Sequence, residues 1–182
     1  MSEPERLKTT KEKSRNALDK GDLSVYTLIL MTPTPHLPDV PNLVLQECAC
    51  ATLRKTSRTI TRLYDDALKP SGLLATQYMV LVAVQKEHPV TIGQLAEIMV
   101  MDRTTLTRNL KPLEKGGLIV NGKGEDQRTH VISLTLKGKT VLEKTFPLWR
   151  RVQTHVATTL GLKKFEHLLS DLREVVVLFR EN

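Results

Sequence analysis

The chain has 182 residues, of which 40% are hydrophobic, 26% charged and 4% aromatic, as is typical of a protein with a hydrophobic core. Its net charge of +7 favours an acidic partner such as nucleic acid or anionic lipid. With only two cysteines, the chain is not expected to be a disulfide scaffold. No apolar run approaches the roughly 20 residues of a membrane helix, which excludes a membrane span. Since no export signal is recognisable, we expect a cytoplasmic protein.

Residues 1–41 are predicted to be a mobile N-terminal extension of the main fold. The first 22 residues are polar, and four prolines follow between positions 33 and 41. Proline blocks the backbone hydrogen bonds of helices and strands, so the pattern favours an extended arm.

Residues 42–75 are predicted to form a long amphipathic helix and a turn. Residues 43–69 contain no proline or glycine, and their apolar side chains recur at helical spacing. Pro70 ends this helix. A second helix, buried and with Thr76 as its N-cap, is expected to reach Lys86.

Residues 76–138 carry the strongest local pattern. Thr91 can cap a short helix, IGQLAEIMV, and Asp102 can cap a second one, RTTLTRNLKPLEKGG, whose leucines face inward. Pro112 is expected to kink or loosen the second helix. Two short helices joined by a tight turn predict a helix-turn-helix.

Two β-prone runs follow, at residues 118–120 and 129–135, around a polar, glycine-rich tip, and they predict a hairpin. Residues 139–182 are predicted to be helices broken near Pro147 and Gly161, and the last one has a broad apolar stripe. The predicted fold class is therefore mainly α (α+β), a winged helix-turn-helix flanked by long helices.

The stretch DRTTLTRNLKPLEKGGLI, the sequence EDQR and the following ISLTLKGK resemble the MarR family of bacterial transcription regulators. The resemblance covers about residues 43–179. Where the family commonly has arginine at the end of the first wing strand, this chain has Asn121. The matching positions are Asp102, Thr105, Leu106, Thr107, Arg108, Leu113, Glu114, Gly117, Leu118, Asp126, Arg128, Leu134, Thr135 and Gly138.

The resemblance implies a homodimer whose dimerisation helices lie in residues 42–75 and 139–182. Paired winged helices would meet a pseudopalindromic operator in double-stranded DNA. Independently, apolar stripes at both chain ends can be buried by mutual packing, and two-fold symmetry places two recognition helices about 34 Å apart. We expect a transcriptional regulator, by default a repressor, that a small ligand or oxidation releases.

The predicted DNA contacts lie on the second helix and the wing. Arginine can bond bidentately to guanine, and threonine can contact a thymine methyl group. Arg128 can enter the minor groove with Asp126 orienting it, or the two can merely hold the hairpin turn. A solvated surface charge is the alternative for each arginine, and Lys115 and Lys123 would add phosphate contacts. The full set is Arg103, Thr104, Thr105, Thr107, Arg108, Lys111, Asp126 and Arg128.

Cys50 and Tyr64 suggest a redox switch. Their register resembles the branch of the family that senses organic hydroperoxides, in which a tyrosine bonds to the reactive cysteine across the dimer. Where that branch has a second tyrosine, four residues after the cysteine, this chain has Arg54. A buried cysteine that packs as a small hydrophobe is the commoner alternative.

The other predicted switch is a small aromatic or anionic effector, bound between the dimerisation helices and the winged helix. Each residue proposed for this cleft also has an ordinary packing or surface explanation. The cleft candidates are Arg54, Arg58, Tyr78 and Trp149, together with Tyr64.

Motifs for catalysis and metal binding are missing from the sequence. No phosphate loop, nucleophile elbow or zinc-ligand spacing is present, so we expect no enzyme, cofactor or metal site. Two alternatives stay open: a thiol peroxidase that uses Cys50, and a winged helix used for protein interaction.

Overall fold

The computed structural model describes residues 41, 45, 48–124 and 129–180. The chain divides into two compact units, residues 1–54 and 55–182. In the first unit, the described residues are helical from Ala49 onward. The predicted extension, residues 1–41, lies outside the described residues except for its last position.

The first long helix is confirmed as α1, Ala49–Leu68, and a 3-10 turn, Lys69–Ser71, follows it. Helix α2 spans Ala75–Lys86. It buries one face in the core, whereas Met79 is 57% exposed and Val82 is 42% exposed. The prediction of a buried helix therefore holds for one side of α2 only.

The predicted N-cap of α2, Thr76, is wrong by two residues because the cap position is Leu74. The carboxylate of Asp65 on α1 accepts the amide hydrogen of Ala75 at 2.7 Å. The Gln77 side chain accepts that of Leu74 at 3.0 Å. Asp65, which lies on another helix, thus accepts from a backbone amide of the first turn of α2, where amides have no partner within the helix. The local sequence does not indicate such a cap.

The winged helix follows in chain order as β1, α3, α4, β2 and β3. The three strands form one antiparallel sheet in the order β1-β3-β2. The two-residue strand β1 was not predicted, because two residues carry no periodicity. The bounds are β1 Val90–Thr91, α3 Ile92–Met99, α4 Arg103–Lys115, β2 Ile119–Lys123 and β3 His130–Leu134.

Two long helices complete the described fold, α5 over Leu136–Leu160 and α6 over Leu162–Phe179. Gly161, with φ of 84°, separates them as predicted. The predicted break at Pro147 is wrong, since α5 continues through this proline, with Thr145 and Val152 buried on either side of it. Helix α4 contains Pro112 and ends at Lys115, just before Gly116 as predicted, and the kink at Pro112 stays a prediction.

The core of the second unit lies among α2, the helix-turn-helix and the sheet. Six of the largest fully buried side chains come from five different elements, so these elements share one core. The six are Leu68, Leu81, Leu95, Leu106, Leu113 and Ile132.

Among the described helices, none taken singly combines the length and the apolar character needed to cross a membrane. The segments Ala49–Ser71 and Ala75–Lys86 have the required length and apolar character only when they are counted together, and the chain bends by 74° between them.

Candidate nucleic-acid interface

Helix α3 is fixed at its start by a reciprocal cap, in agreement with the prediction for Thr91. The hydroxyl oxygen of Thr91 accepts the amide hydrogen of Gln94 at 3.1 Å. The side-chain oxygen of Gln94 accepts the amide hydrogen of Thr91 at 3.0 Å. This capping box satisfies two amide groups at the end of the helix.

The turn between α3 and α4 is short and conformationally unusual. Val100 adopts a left-handed conformation with φ of 50°, which is rare for a β-branched residue. Its amide donates to the carbonyl of Glu97 at 3.2 Å, and the Met101 amide donates to the carbonyl of Ala96 at 2.9 Å. These bonds end α3 and set the direction in which α4 begins.

Asp102 is the N-cap of α4, as predicted. Its carboxylate accepts the backbone amide hydrogen of Thr105 at 2.8 Å and the hydroxyl hydrogen of the same residue at 2.6 Å. These hydrogen bonds favour the charged form, so the pKa of Asp102 lies below its ordinary value of 3.8.

The Asp102 cap should stabilise the protein in a pH-dependent way. Because the folded-state pKa is lowered, the stabilisation is complete above the ordinary pKa and is lost as the pH falls through the lowered value. We expect Asp102→Ala to lower Tm at neutral pH and to flatten the acid dependence of Tm. Thermal denaturation monitored by circular dichroism checks this. Asp102→Asn is the control, because asparagine can cap the helix but does not titrate. If the Tm of Asp102→Ala depends on acid pH in the same way as that of the wild type, Asp102 does not have the proposed role.

The exposed face of α4 carries the predicted DNA contacts. The opposite face is anchored by three leucines that are at most 5% exposed, Leu106, Leu110 and Leu113. All six predicted residues on this helix are exposed, namely Arg103, Thr104, Thr105, Thr107, Arg108 and Lys111.

Three of these residues also make contacts within the chain. The hydroxyl of Thr105 donates to Asp102, and that of Thr107 donates to the carbonyl of Arg103 at 2.7 Å. The guanidinium group of Arg103 lies over the first turn of α3, where a Cβ added to Gly93 would sit 3.3 Å from Nη2. Thr104, Arg108 and Lys111 are the other exposed residues of the predicted set on this helix.

The predicted wing is the loop between β2 and β3. Both strands are present, and Asn121 and Lys123 on β2 are exposed. Asp126 and Arg128 lie outside the described residues, so their contact with the minor groove stays a prediction.

The predicted redox pair lies on α1. Cys50, in the first turn, is exposed, and Cys48 is partly buried. The hydroxyl of Tyr64 donates to the side-chain oxygen of Gln153 on α5. Burial raises the pKa of Tyr64 above its ordinary value.

The predicted cleft residues fall into two groups. Arg54 and Arg58 are exposed on α1. Tyr78 is buried in the core, which raises its pKa, and Trp149 packs against the core and stacks on Phe146 at 5.7 Å between ring centroids. In the part of the chain that the structure describes, no group of His, Cys, Asp or Glu side chains could hold a metal ion.

A junction that the sequence did not indicate joins the end of α4 to the start of α5. Thr135, the N-cap of α5, accepts the Gly138 amide hydrogen at 2.9 Å and donates to the carbonyl of Gly117 at 2.7 Å. Lys137 donates to the carbonyl of Gly116 at 2.7 Å. The sequence indicates Gly138 only as one of the positions that match the family motif. No sequence pattern distinguishes Lys137.

The chain is similar to known transcriptional regulators. The MarR family model matches residues 71–128. The HTH-type transcriptional regulator SarZ of Staphylococcus epidermidis is 37% identical over 103 residues, which cover 56% of this chain and 70% of SarZ. The chain belongs to the MarR family.

Solved structures agree with this MarR family assignment. The M. tuberculosis transcriptional regulator MosR is 35% identical, with a TM-score of 0.64 over 74% of this chain and 98% of that one. A MosR structure in complex with DNA is 38% identical, with a TM-score of 0.60 over 70% of this chain and 97% of that one. The predicted family and winged-helix fold are thus confirmed.

Proposed function

We propose that this MarR-family chain is a homodimeric, sequence-specific transcriptional regulator that binds double-stranded DNA. The observation that carries the proposal is α4, a capped helix with one face in the core and an exposed face of arginine, threonine and lysine. Such a helix can enter the major groove and contact base edges. The likeness to MosR, of which a complex with DNA is known, supports it.

The protein acts by binding DNA, and repression of transcription is the default outcome. Membership of a regulator family supports this over the two alternatives, a thiol peroxidase and a module for protein interaction alone. Because such a regulator acts on DNA, we place it in the cytoplasm.

The experiment that tests the proposal is selection of duplexes from a random-sequence pool. The affinity of the reduced protein for enriched and for scrambled duplexes is then compared at about 0.15 M salt. We expect at least about a thousandfold preference for the enriched duplex. Equal binding to both duplexes would contradict sequence-specific regulation.

The homodimer is supported by the exposed apolar stripe of α6. None of the residues of this helix is buried, and Phe179 is 70% exposed. A second copy related by two-fold symmetry would cover such a surface. The stripe consists of Phe165, Leu168, Leu169, Leu172, Val175, Val176 and Phe179.

We expect Val176→Asp to weaken the dimer at least tenfold, because it places a charge in an interface from which water is excluded. Light scattering coupled to size-exclusion chromatography measures the molar mass against concentration. Ser170→Asp, which adds the same charge on the opposite side of α6, should leave the mass unchanged. A Val176→Asp protein with the wild-type dissociation constant would show that this stripe is not the interface.

Oxidation of Cys50 is one of two candidate triggers for release from DNA. The thiol is exposed near the start of a helix, where a peroxide can reach it. If organic hydroperoxide lowers the affinity of the wild type and of Cys48→Ser but not of Cys50→Ser, oxidation is the trigger. If oxidant changes nothing, a small-molecule effector is the remaining candidate.

A further inference from the structure

Basic side chains near the ends of the two C-terminal helices reach the carboxyl ends of both helices of the helix-turn-helix. Arg180, directly after α6, donates from Nη2 to the carbonyl oxygen of Glu97 in the last turn of α3 at 2.6 Å. Lys137, in the first turn of α5, donates from Nζ to the carbonyl oxygen of Gly116, just after α4, at 2.7 Å. The partners are 83 and 21 positions apart in the chain, so these are tertiary caps.

Both acceptors are groups that a helix leaves open. The last carbonyls of a helix have no intrahelical partner and carry a partial negative charge, which a cation stabilises. The Glu97 carbonyl also accepts the long 3.2 Å bond from Val100, the residue in the left-handed conformation. The cation from α6 therefore meets α3 at the start of its strained turn.

The surroundings of Arg180 show why this contact matters for orientation. An open groove of about 350 Å³ lies between α3, the turn and the end of α6. Ala96, Val100 and Met101 line its apolar part, and Arg103 and Arg180 also line it. The hydrogen bond of Arg180 therefore connects α6 to α3 across this open groove.

We propose that Arg180 and Lys137 are positioning residues, through which α6 and α5 hold the helix-turn-helix in the orientation that binds DNA. The inference rests on the proposed function, since a dimer must present two recognition helices at the spacing of two half-sites. Freedom of the helix-turn-helix reduces the fraction of molecules in the competent orientation, and the apparent affinity falls by that fraction.

The first test compares Arg180→Ala and Lys137→Ala with wild type on enriched and scrambled duplexes over a range of salt concentrations. We expect each variant to lose about tenfold in affinity for the enriched duplex, because fewer molecules hold the competent orientation. The salt dependence should not change, since no phosphate contact is lost. Arg180→Lys and Lys137→Arg should restore most of the affinity. Arg173→Ala and Lys139→Ala, which remove exposed cations from the same helices, are the matched controls.

The second test needs no DNA and keeps the two proposals separable. Amide hydrogen exchange of the full-length protein should accelerate at the turn around Val100 in Arg180→Ala, while the core of α5 stays protected. That result would support positioning even if the wild type did not distinguish the duplexes, in which case the proposed function alone would fail. Unchanged exchange in Arg180→Ala overturns the inference, whether or not the affinity for DNA changes. If the affinity falls and the slope of its salt dependence is reduced by about one, the side chain contacts a phosphate instead.

Discussion

Gly138→Ala is expected to destabilise the winged helix by about 3 kcal/mol or more, because the position has no space for a side chain. A Cβ at Gly138 would lie 2.0 Å from the carbonyl oxygen of Leu118 and 3.0 Å from its carbonyl carbon. Both atoms belong to the backbone, so relief requires the first turn of α5 to move away from the residue that precedes β2. That shift would also weaken the bonds of Thr135 to this junction.

The measurement is the free energy of unfolding from urea titration, together with Tm, which should fall by about 10 °C. Gly122→Ala is the matched control, since a Cβ there would meet nothing within 4 Å. We expect its effect to stay within about 1 kcal/mol. Equal stability of Gly138→Ala and wild type would show that the junction is not as closely packed as its geometry indicates.

Arg108→Ala is expected to have the largest effect on DNA recognition. The side chain is exposed on the outer face of α4, which Leu106 and Leu110 anchor from the other side. A bidentate contact between arginine and guanine discriminates by about 1–3 kcal/mol, and a dimer makes the contact twice. We therefore expect a loss of about 10² to 10⁴ in affinity for the enriched duplex, with little change for scrambled DNA.

Competition binding with single-base variants of the enriched duplex identifies the base, since the loss should be confined to one position in each half-site. Arg151→Ala, which removes an exposed arginine from α5, is the control and should bind as wild type. If Arg108→Ala weakens binding to every sequence equally and lowers the salt slope, the side chain contacts phosphate. Unchanged discrimination would remove Arg108 from the interface.

Local sequence was a good guide wherever a residue acts within its own element. Thr91 and Asp102 cap the helices that follow them, as predicted, because a side-chain oxygen needs only the next turn of backbone. The leucines of α4 are buried for a similarly local reason, since helical spacing places them on one face. These features identify the exposed face of α4 without any tertiary information.

Two of the three failures share a different cause. Asp65 caps α2 from another helix, so Thr76 was chosen wrongly as the cap. Pro147 predicts a break because proline removes a backbone hydrogen bond of the helix, but α5 continues through it, with buried residues on both sides. The strand β1 exists only because β3 pairs with it. For α2 and β1, the deciding contact comes from another element of the fold, which the local sequence does not indicate.

Caps, periodicity and motif order are local properties, so the sequence was enough to indicate the family, the winged helix-turn-helix and the helix predicted to contact DNA. The contacts that the helix-turn-helix makes with the C-terminal helices became visible only in the folded chain. The cations that cap α3 and α4 come from Arg180 and Lys137, and the tight contact at Gly138 depends on the backbone of Leu118. Hydrogen bonds and steric exclusion act over a few ångströms, and only folding brings these residues that close.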